Sequence, residues 1–386
     1  MNISIIGCGL IGKKRALALS ADDKLIACCD TNHEASKKFG EEFKCKAYTD
    51  YRELLLEANC DAVVVAVVNK FAKEIITASL KNGKHVIAEK PLGRNVEEAG
   101  EIVRSREDGV GSKKNNRLTN EDLRLSNKDR KSEVGGHHRL AGSLWEKSES
   151  GEVRSNEYRV GSNEFVVLKT GFNHRFHPAV LKAKQLADEG AIGKIINIRA
   201  KYGHGGRAGM EKEWRASKDL CGGGELLDQG VHVIDLIRWF GGDVSEVYGA
   251  IETKFWNMEV EDNAFAILKT DKNVTASFHV SWTNWKNVFS FEIFGTDGYL
   301  KIEGLGGSYG PETLEFGKRK KEGGRPDIEI LEYPTQDLSW GKEWEEFKKA
   351  VEEKREPIGS GIDGLRANEV IEAIYRSSDE KKVIKL

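Results

Sequence analysis

Ile3-Ser4-Ile5-Ile6-Gly7-Cys8-Gly9-Leu10-Ile11-Gly12 decides how this chain is read. Four residues of a buried strand run into a GxGxxG turn that opens a helix. Gly7 permits the tight turn, Gly9 has no Cβ and lets the backbone approach a pyrophosphate, and Gly12 lets helix and strand pack closely. Phosphates would then face the free N–H groups of the helix start, at Leu10 and Ile11, and the positive end of its dipole. The next strand ends at Asp30, 21 positions after Gly9. There a carboxylate accepts hydrogen bonds from a ribose 2′-hydroxyl. Asp30 would repel a 2′-phosphate, and no Arg follows it directly, so the motif favours NAD over NADP.

Outward from this turn, residues 1–104 alternate short β-branched runs (Ile3–Ile6, Leu25–Cys29, Ala62–Val67, His85–Ala88) with helical patterns. That alternation predicts βαβ units on a parallel sheet, a Rossmann-type dinucleotide-binding domain. Residues 105–164 differ: 12 Lys/Arg, 11 Asp/Glu, 9 Ser, 7 Gly and 6 Asn stand against 12 apolar residues. This polar stretch interrupts a helix that begins near Val96, and it cannot bury much apolar surface, so a disordered insertion is expected. Adjacent His137 and His138 inside it do not share a helix or strand face and make a poor metal site. From residue 165 structure returns. Phe165–Gly171 reads as the first strand of a second domain, 165–386, and His177–Gly190 as a helix. A glycine run, Gly222-Gly223-Gly224, leads into the helix Glu225–Phe240. Strands of period-two alternation follow, then helices Trp340–Glu353 and Gly364–Ser378. This second part is an α+β domain with a mostly antiparallel open sheet.

Composition narrows the possibilities further. The 386 residues carry 39% apolar and 32% charged side chains and a formal net charge of −2, which gives no drive toward nucleic acid or anionic membrane. The longest apolar stretch, Ala62–Val68, is far short of the roughly 20 residues of a membrane helix. The opening segment has no basic n-region, long apolar core or cleavage site, and it does not read as a secretory leader. The six cysteines show no CxxC spacing; reduced thiols in a cytoplasmic protein fit them better than disulfides or zinc.

Two segments carry chemistry. Glu89-Lys90-Pro91 follows the strand His85–Ala88, and ligands of open α/β sheets lie outside such strand ends. Lys90 is thereby aimed at the crevice, Pro91 is a candidate cis peptide, and Asn69 and Glu89 join Lys90 as cofactor-binding candidates. On the later helix Asp228 and His232 stand at i and i+4, with Asp235 at i+7, all on one face. Such a stripe suits a histidine base oriented by carboxylates. Read alone, His232 is equally a satisfied structural histidine and Asp228 equally a helix cap. Asn173 and Arg175, in Gly171-Phe172-Asn173-His174-Arg175, could hydrogen-bond a polyhydroxylated substrate, Arg175 bidentately. Tyr202, Arg207 and Trp214 form a second candidate wall, with Trp214 placed to stack on a sugar ring.

In this order, GxGxxG at Gly7–Gly12, Glu89-Lys90-Pro91 and the glycine run into Asp228-x-x-x-His232 resemble the Gfo/Idh/MocA family, the glucose-fructose oxidoreductase and inositol dehydrogenase group. The resemblance covers residues 1–104 and 165–386; the stretch 105–164 departs from it. It implies an NAD(P)-binding Rossmann domain and a second domain whose open sheet carries substrate and an interface for a homodimer or homotetramer. The family's Lys maps to Lys90, its Asp to Asp228 and its His to His232, with no metal. It implies hydride transfer between nicotinamide and a secondary hydroxyl of a sugar, cyclitol or sugar derivative. His232 would take the hydroxyl proton, Lys90 would stabilise the developing alkoxide, and Asp228 would orient substrate or base. Two alternatives stay open: a glycosidase that uses NAD transiently, and a non-catalytic NAD-sensing regulator.

Overall fold

The structure, a computed structural model, describes residues 1–111 and 165–386. Six parallel strands build the first sheet: β1 (Asn2–Ile6), β2 (Lys24–Cys29), β3 (Lys46–Tyr48), β4 (Ala62–Val65), β5 (His85–Ala88) and β6 (Leu168–Thr170), in the order β3-β2-β1-β4-β5-β6. Helices α1 (Leu10–Leu17), α2 (His33–Phe43), α3 (Tyr51–Glu57), α4 (Asn69–Lys81) and α5 (Val96–Gly111) make the crossovers. The strands are near-continuous apolar runs because both faces are covered: Ile3, Ile5, Val63, Val64, Val86 and Ile87 are essentially inaccessible. The strand order reverses between β1 and β4, and that switch point is where such sheets bind ligands.

Two expectations are corrected here. Phe165–Gly171 was expected to open the second domain, but its central residues, as β6, pair in parallel with β5 and complete the first sheet. Val166-Val167-Leu168 is fully buried, which marks a strand covered on both faces and leaves open which sheet takes it. The polar segment was expected to begin at residue 105, whereas α5 continues through Gly111. Residues 112–164, with His137 and His138, lie outside the described residues.

The second sheet has nine strands: β7 (Ile195–Gly203), β8 (Val244–Glu252), β9 (Asn263–Thr270), β10 (Thr275–Ser281), β11 (Val288–Gly295), β12 (Gly298–Glu303), β13 (Thr313–Lys318), β14 (Asp327–Glu332) and β15 (Ile384–Lys385). Their order is β14-β13-β12-β11-β7-β10-β9-β8-β15, antiparallel except at β7–β10. One face buries Ile198, Phe278, Phe291 and Ile302 against α6 (Pro178–Asp188), α7 (Val231–Gly241) and α9 (Gly361–Glu380). The other face is open and shows Tyr248, Phe265 and Ile267 to solvent. The period-two reading found the central strands but not β13 and β14, where polar and glycine residues mask the alternation.

Helix α8 (Ser339–Glu352) does not cap the second sheet. Trp344, Phe347 and Ala350 pack on Ile3, Ile5, Val64 and Ile87 of the first. Beneath it lies a buried charge cluster. Arg15 of α1 bonds Glu89 at 2.6 Å and Glu343 at 2.6 Å, and Lys169 of β6 stands 3.5 Å from Glu343. Arg15, Glu343 and Lys169 are almost wholly inaccessible. Removing one member strands the others in low dielectric, which costs about 3–5 kcal/mol. We therefore expect Glu343→Ala to lower the urea-unfolding free energy by about that amount, and Glu34→Ala, at the exposed Lys38 pair, to change it by well under about 1 kcal/mol. Equal effects would contradict this reading of the cluster.

Candidate functional site

The turn after β1 has the form a dinucleotide requires. Gly7 sits at φ +103°, and a Cβ there would lie 2.2 Å from the Ala66 carbonyl oxygen; a Cβ on Gly12 would lie 1.9 Å from the Gly7 oxygen. Gly9 caps α1 without a side-chain hydrogen bond, and a Cβ there would have nothing within 4 Å. The start of α1 is thus bare, with space in front of it for phosphate. Asp30 braces the turn: it accepts from the Cys8 N–H at 2.9 Å and the Asn32 N–H at 2.9 Å.

From this turn a cavity of about 1110 Å³ extends to the second domain. Gly7, Gly9, Leu10, Ile11, Asp30, Asn69, Glu89 and Lys90 line one end, and Asn173, Tyr202, Arg207, Trp214, Asp228 and His232 line the other. Gly12 supports the turn from beneath. Asn69 also donates to the Cys221 carbonyl at 2.8 Å and so joins the start of α4 to the second domain. The Lys90–Pro91 peptide is cis.

Across the crevice, Glu261 of the β8–β9 connection anchors the start of the helix that carries Asp228 and His232. Its carboxylate accepts from the N–H groups of Gly224 and Leu226 at 2.9 and 3.0 Å and from the Tyr375 hydroxyl at 2.8 Å. The chain then makes one π-helical turn, Leu226–Gly230, before α7. Wide turns of this kind recur at functional sites; here it carries Asp228 to the crevice. The Lys90 ammonium donates to the Asp228 carboxylate at 2.7 Å and to its carbonyl oxygen at 2.6 Å. Arg215 approaches the other carboxylate oxygen at 3.4 Å. Burial alone would lift the Asp228 pKa, but the two cations hold it at about 2.

His232 is buried, with Nδ1 unpartnered. Burial, then the charge of Lys90, holds its pKa well below the usual histidine value, so the ring is neutral and able to accept a proton. One turn before Asp228, Glu225 is wholly buried and its pKa is pushed well up by desolvation.

Two expectations are corrected. Asp235 does not orient His232; it is locked by Arg175 through hydrogen bonds of 2.8 and 2.6 Å. Arg175 itself does not reach the crevice, because its buried guanidinium is held by Asp235 and Asp363. Arg207 stands at the mouth with its guanidinium taken by Glu213 at 2.9 and 2.6 Å. The cavity also holds residues not anticipated: His174, His177, His204, Gln229, Tyr309 and Asp337. For His174 and His177 the signal was present but misread. A strand end aligns Asn173 with Arg175, yet Asn173–Phe176 is a 3₁₀ turn, whose period of three aligns His174 with His177.

Residues 1–109 match the family model described as the oxidoreductase family, NAD-binding Rossmann fold, and residues 180–301 match the GFO/IDH/MocA C-terminal domain. The chain belongs to the GFO/IDH/MocA family. This GFO/IDH/MocA oxidoreductase binds NAD. It is 27% identical over 343 residues to levoglucosan dehydrogenase of Pseudarthrobacter phenanthrenivorans, covering 78% of this chain and 73% of that one. It is 25% identical over 398 residues to myo-inositol 2-dehydrogenase of Thermotoga maritima, covering 100% and 98%. The structure of levoglucosan dehydrogenase in complex with NADH and levoglucosan shares the fold, with TM-score 0.77, 21% identity and coverage of 100% and 99%.

His174, like His232, is held well below its usual pKa by burial. Unfolded, each histidine titrates near 6.5. Below that pH the unfolded chain binds more protons than the folded one. Stability from these two groups is therefore complete above about pH 6.5 and is lost as pH falls toward the depressed folded values, by about 1.4 kcal/mol per pH unit for each. Urea unfolding at about pH 7.5 and about pH 5.5 should show a smaller loss in His174→Gln and His232→Gln than in the parent; an unchanged loss in both would contradict the assignment.

Proposed function

We propose that this NAD-binding oxidoreductase, of the sugar and cyclitol dehydrogenase type, transfers a hydride reversibly between NAD and a secondary hydroxyl of a sugar, cyclitol or sugar derivative. One observation carries the reading: Lys90, Asp228 and His232 face a single cavity that begins at the bare start of α1. The residues fit the dinucleotide: Gly7, Gly9, Leu10 and Ile11 would hold its phosphates, Asp30 a ribose, and Asn69, Glu89 and Lys90 the remainder. Bound NAD supplies the hydride acceptor. The neutral His232 imidazole takes the hydroxyl proton, and the Lys90 ammonium, fixed by Asp228, stabilises negative charge developing on the substrate oxygen. Asp228 holds Lys90 and orients substrate. Asn173 and Tyr202 offer hydrogen-bonding groups, and Trp214 a flat face for a ring.

Arg207 is paired with Glu213, and Lys90 and Arg215 are both engaged with Asp228, which favours a neutral polyol or sugar over a nucleotide sugar. Tyr248, Phe265 and Ile267, 46%, 48% and 54% exposed on the open sheet face, support assembly as a homodimer or homotetramer through that face. Six free thiols support a cytoplasmic setting. A second reading has one observation behind it: a relative 23% identical over 323 residues is named 2,7-anhydro-N-acetylneuraminate hydratase. An NAD-retaining reaction such as glycoside cleavage would then consume substrate with no NADH accumulating.

Absorbance at the NADH band across cyclitols, anhydrosugars, aldoses and sugar acids tests the main reading. Lys90→Met and His232→Ala should each lower turnover of the best substrate by about 10²–10⁴-fold while NADH still quenches protein fluorescence. Unchanged turnover in both variants overturns the roles. Ile267→Asp should lower the particle mass by light scattering, and an unchanged mass would remove the sheet face as the interface.

A further inference from the structure

His232 lacks the partner expected of a histidine base. Among the described residues no carboxylate bonds its ring, Nδ1 is buried and unpartnered, and Asp235 is committed to Arg175. A ring does hold it. The His174 imidazole lies face to face with it, centroids 3.7 Å apart and planes 17° from parallel, and the Phe172 ring meets it edge-on at 6.1 Å.

His174 is fixed at both nitrogens, and the direction of every bond follows from one end of a chain. The Asp337 carboxylate has only acceptors to offer, so the Ser339 hydroxyl donates to it at 2.6 Å. Ser339 Oγ then accepts from Asn173 Nδ2 at 2.9 Å. That turns Asn173 Oδ1 toward His174 Nδ1 at 3.2 Å, and an amide oxygen only accepts. His174 therefore carries its hydrogen on Nδ1, and Nε2, 3.0 Å from the Tyr202 hydroxyl, is the acceptor. A second proton on His174 would reverse the bond at Nε2, with the Tyr202 hydroxyl then accepting.

We propose that His174 is a positioning residue for His232: a neutral imidazole locked in the Nδ1–H tautomer, whose face sets the angle of the base and supports the cation that the base becomes. This rests on the assignment of His232 as base. On taking the hydroxyl proton, His232 becomes an imidazolium among groups that mostly oppose it. Lys90 after β5, Arg15 of α1 and His177 of the 3₁₀ turn all disfavour the charge. Asp228 is neutralised by Lys90 and Arg215, and Glu312 is engaged by His177 at 3.0 Å. The uncharged His174 ring supplies an aromatic face at stacking distance, where a cation is favoured. It serves only while it stays neutral: the directed chain from Asp337 fixes the hydrogen on Nδ1, and burial, with His232, His177 and Lys90 nearby, keeps a second proton off.

Two measurements test this. Long-range ¹H–¹⁵N spectra of histidine-labelled protein, with His174 assigned by its loss in His174→Gln, should show a neutral Nδ1–H tautomer still at about pH 6, where a free histidine is largely protonated. An Nε2–H tautomer, or a protonated ring at that pH, overturns the proposal. The same spectra should show His232 titrating at lower pH in His174→Leu than in the parent; no shift, or an upward one, overturns it. In turnover of the best substrate, His174→Leu should lose about 3–30-fold in kcat with little change in KM, and His174→Phe, which keeps a flat face, should recover most of that loss. Equal losses in the two variants would mark a merely structural residue and overturn the proposal. The spectra need no substrate, so inactivity across the whole panel beside the expected spectra counts against the oxidoreductase reading alone.

Discussion

The ammonium of Lys90 against the carboxylate and carbonyl oxygen of Asp228 is the contact on which the site depends. It joins the end of a parallel strand to a π turn in the other half of the molecule, and both groups are about four-fifths shielded from water. Each ion makes the other tolerable in a low-dielectric crevice. Burial, and then the charge of Lys90, holds the His232 ring neutral. In the proposed reaction a base kept neutral beside a fixed positive charge suits removal of a hydroxyl proton: the imidazole would accept it, and the cation would stabilise the oxygen left behind.

Much of this was readable in the residues because the constraints are local. GxGxxG after a strand leaves few alternatives, since the close approaches at Gly7 and Gly12 exclude any side chain. Lys90 at a strand end and Asp228 with His232 four residues apart follow from topology and helical period. What escaped notice was set by partners distant in sequence. Arg175 looked like a substrate ligand until Asp235 and Asp363 closed on it. Arg207 reaches the cavity but also pairs with Glu213. His174 was hidden because a strand period of two was read where the turn has a period of three. Tyr309 and Asp337 enter the cavity from loops with no pattern of their own.

The wall behind His232 is built from directionality more than from charge. Asp337, Ser339, Asn173, His174 and Tyr202 form a sequence of donors and acceptors with one allowed orientation. A carboxylate at its outer end decides the tautomer of a ring three side chains away. Polar networks of this kind are costly when incomplete and specific when satisfied, and this one runs along the wall that a substrate would touch.

Helix α8 has a consequence for how the protein comes into being. Trp344, Phe347 and Ala350 close one face of a sheet whose first strand begins at residue 2. That face therefore stays uncovered while nearly the whole polypeptide is synthesised, and Arg15 waits for Glu343 across 328 positions. Domains that close locally can fold as they leave the ribosome. Here one apolar flank of the N-terminal sheet is covered by a helix that follows all but the last strand of the second sheet, so that flank closes late rather than locally.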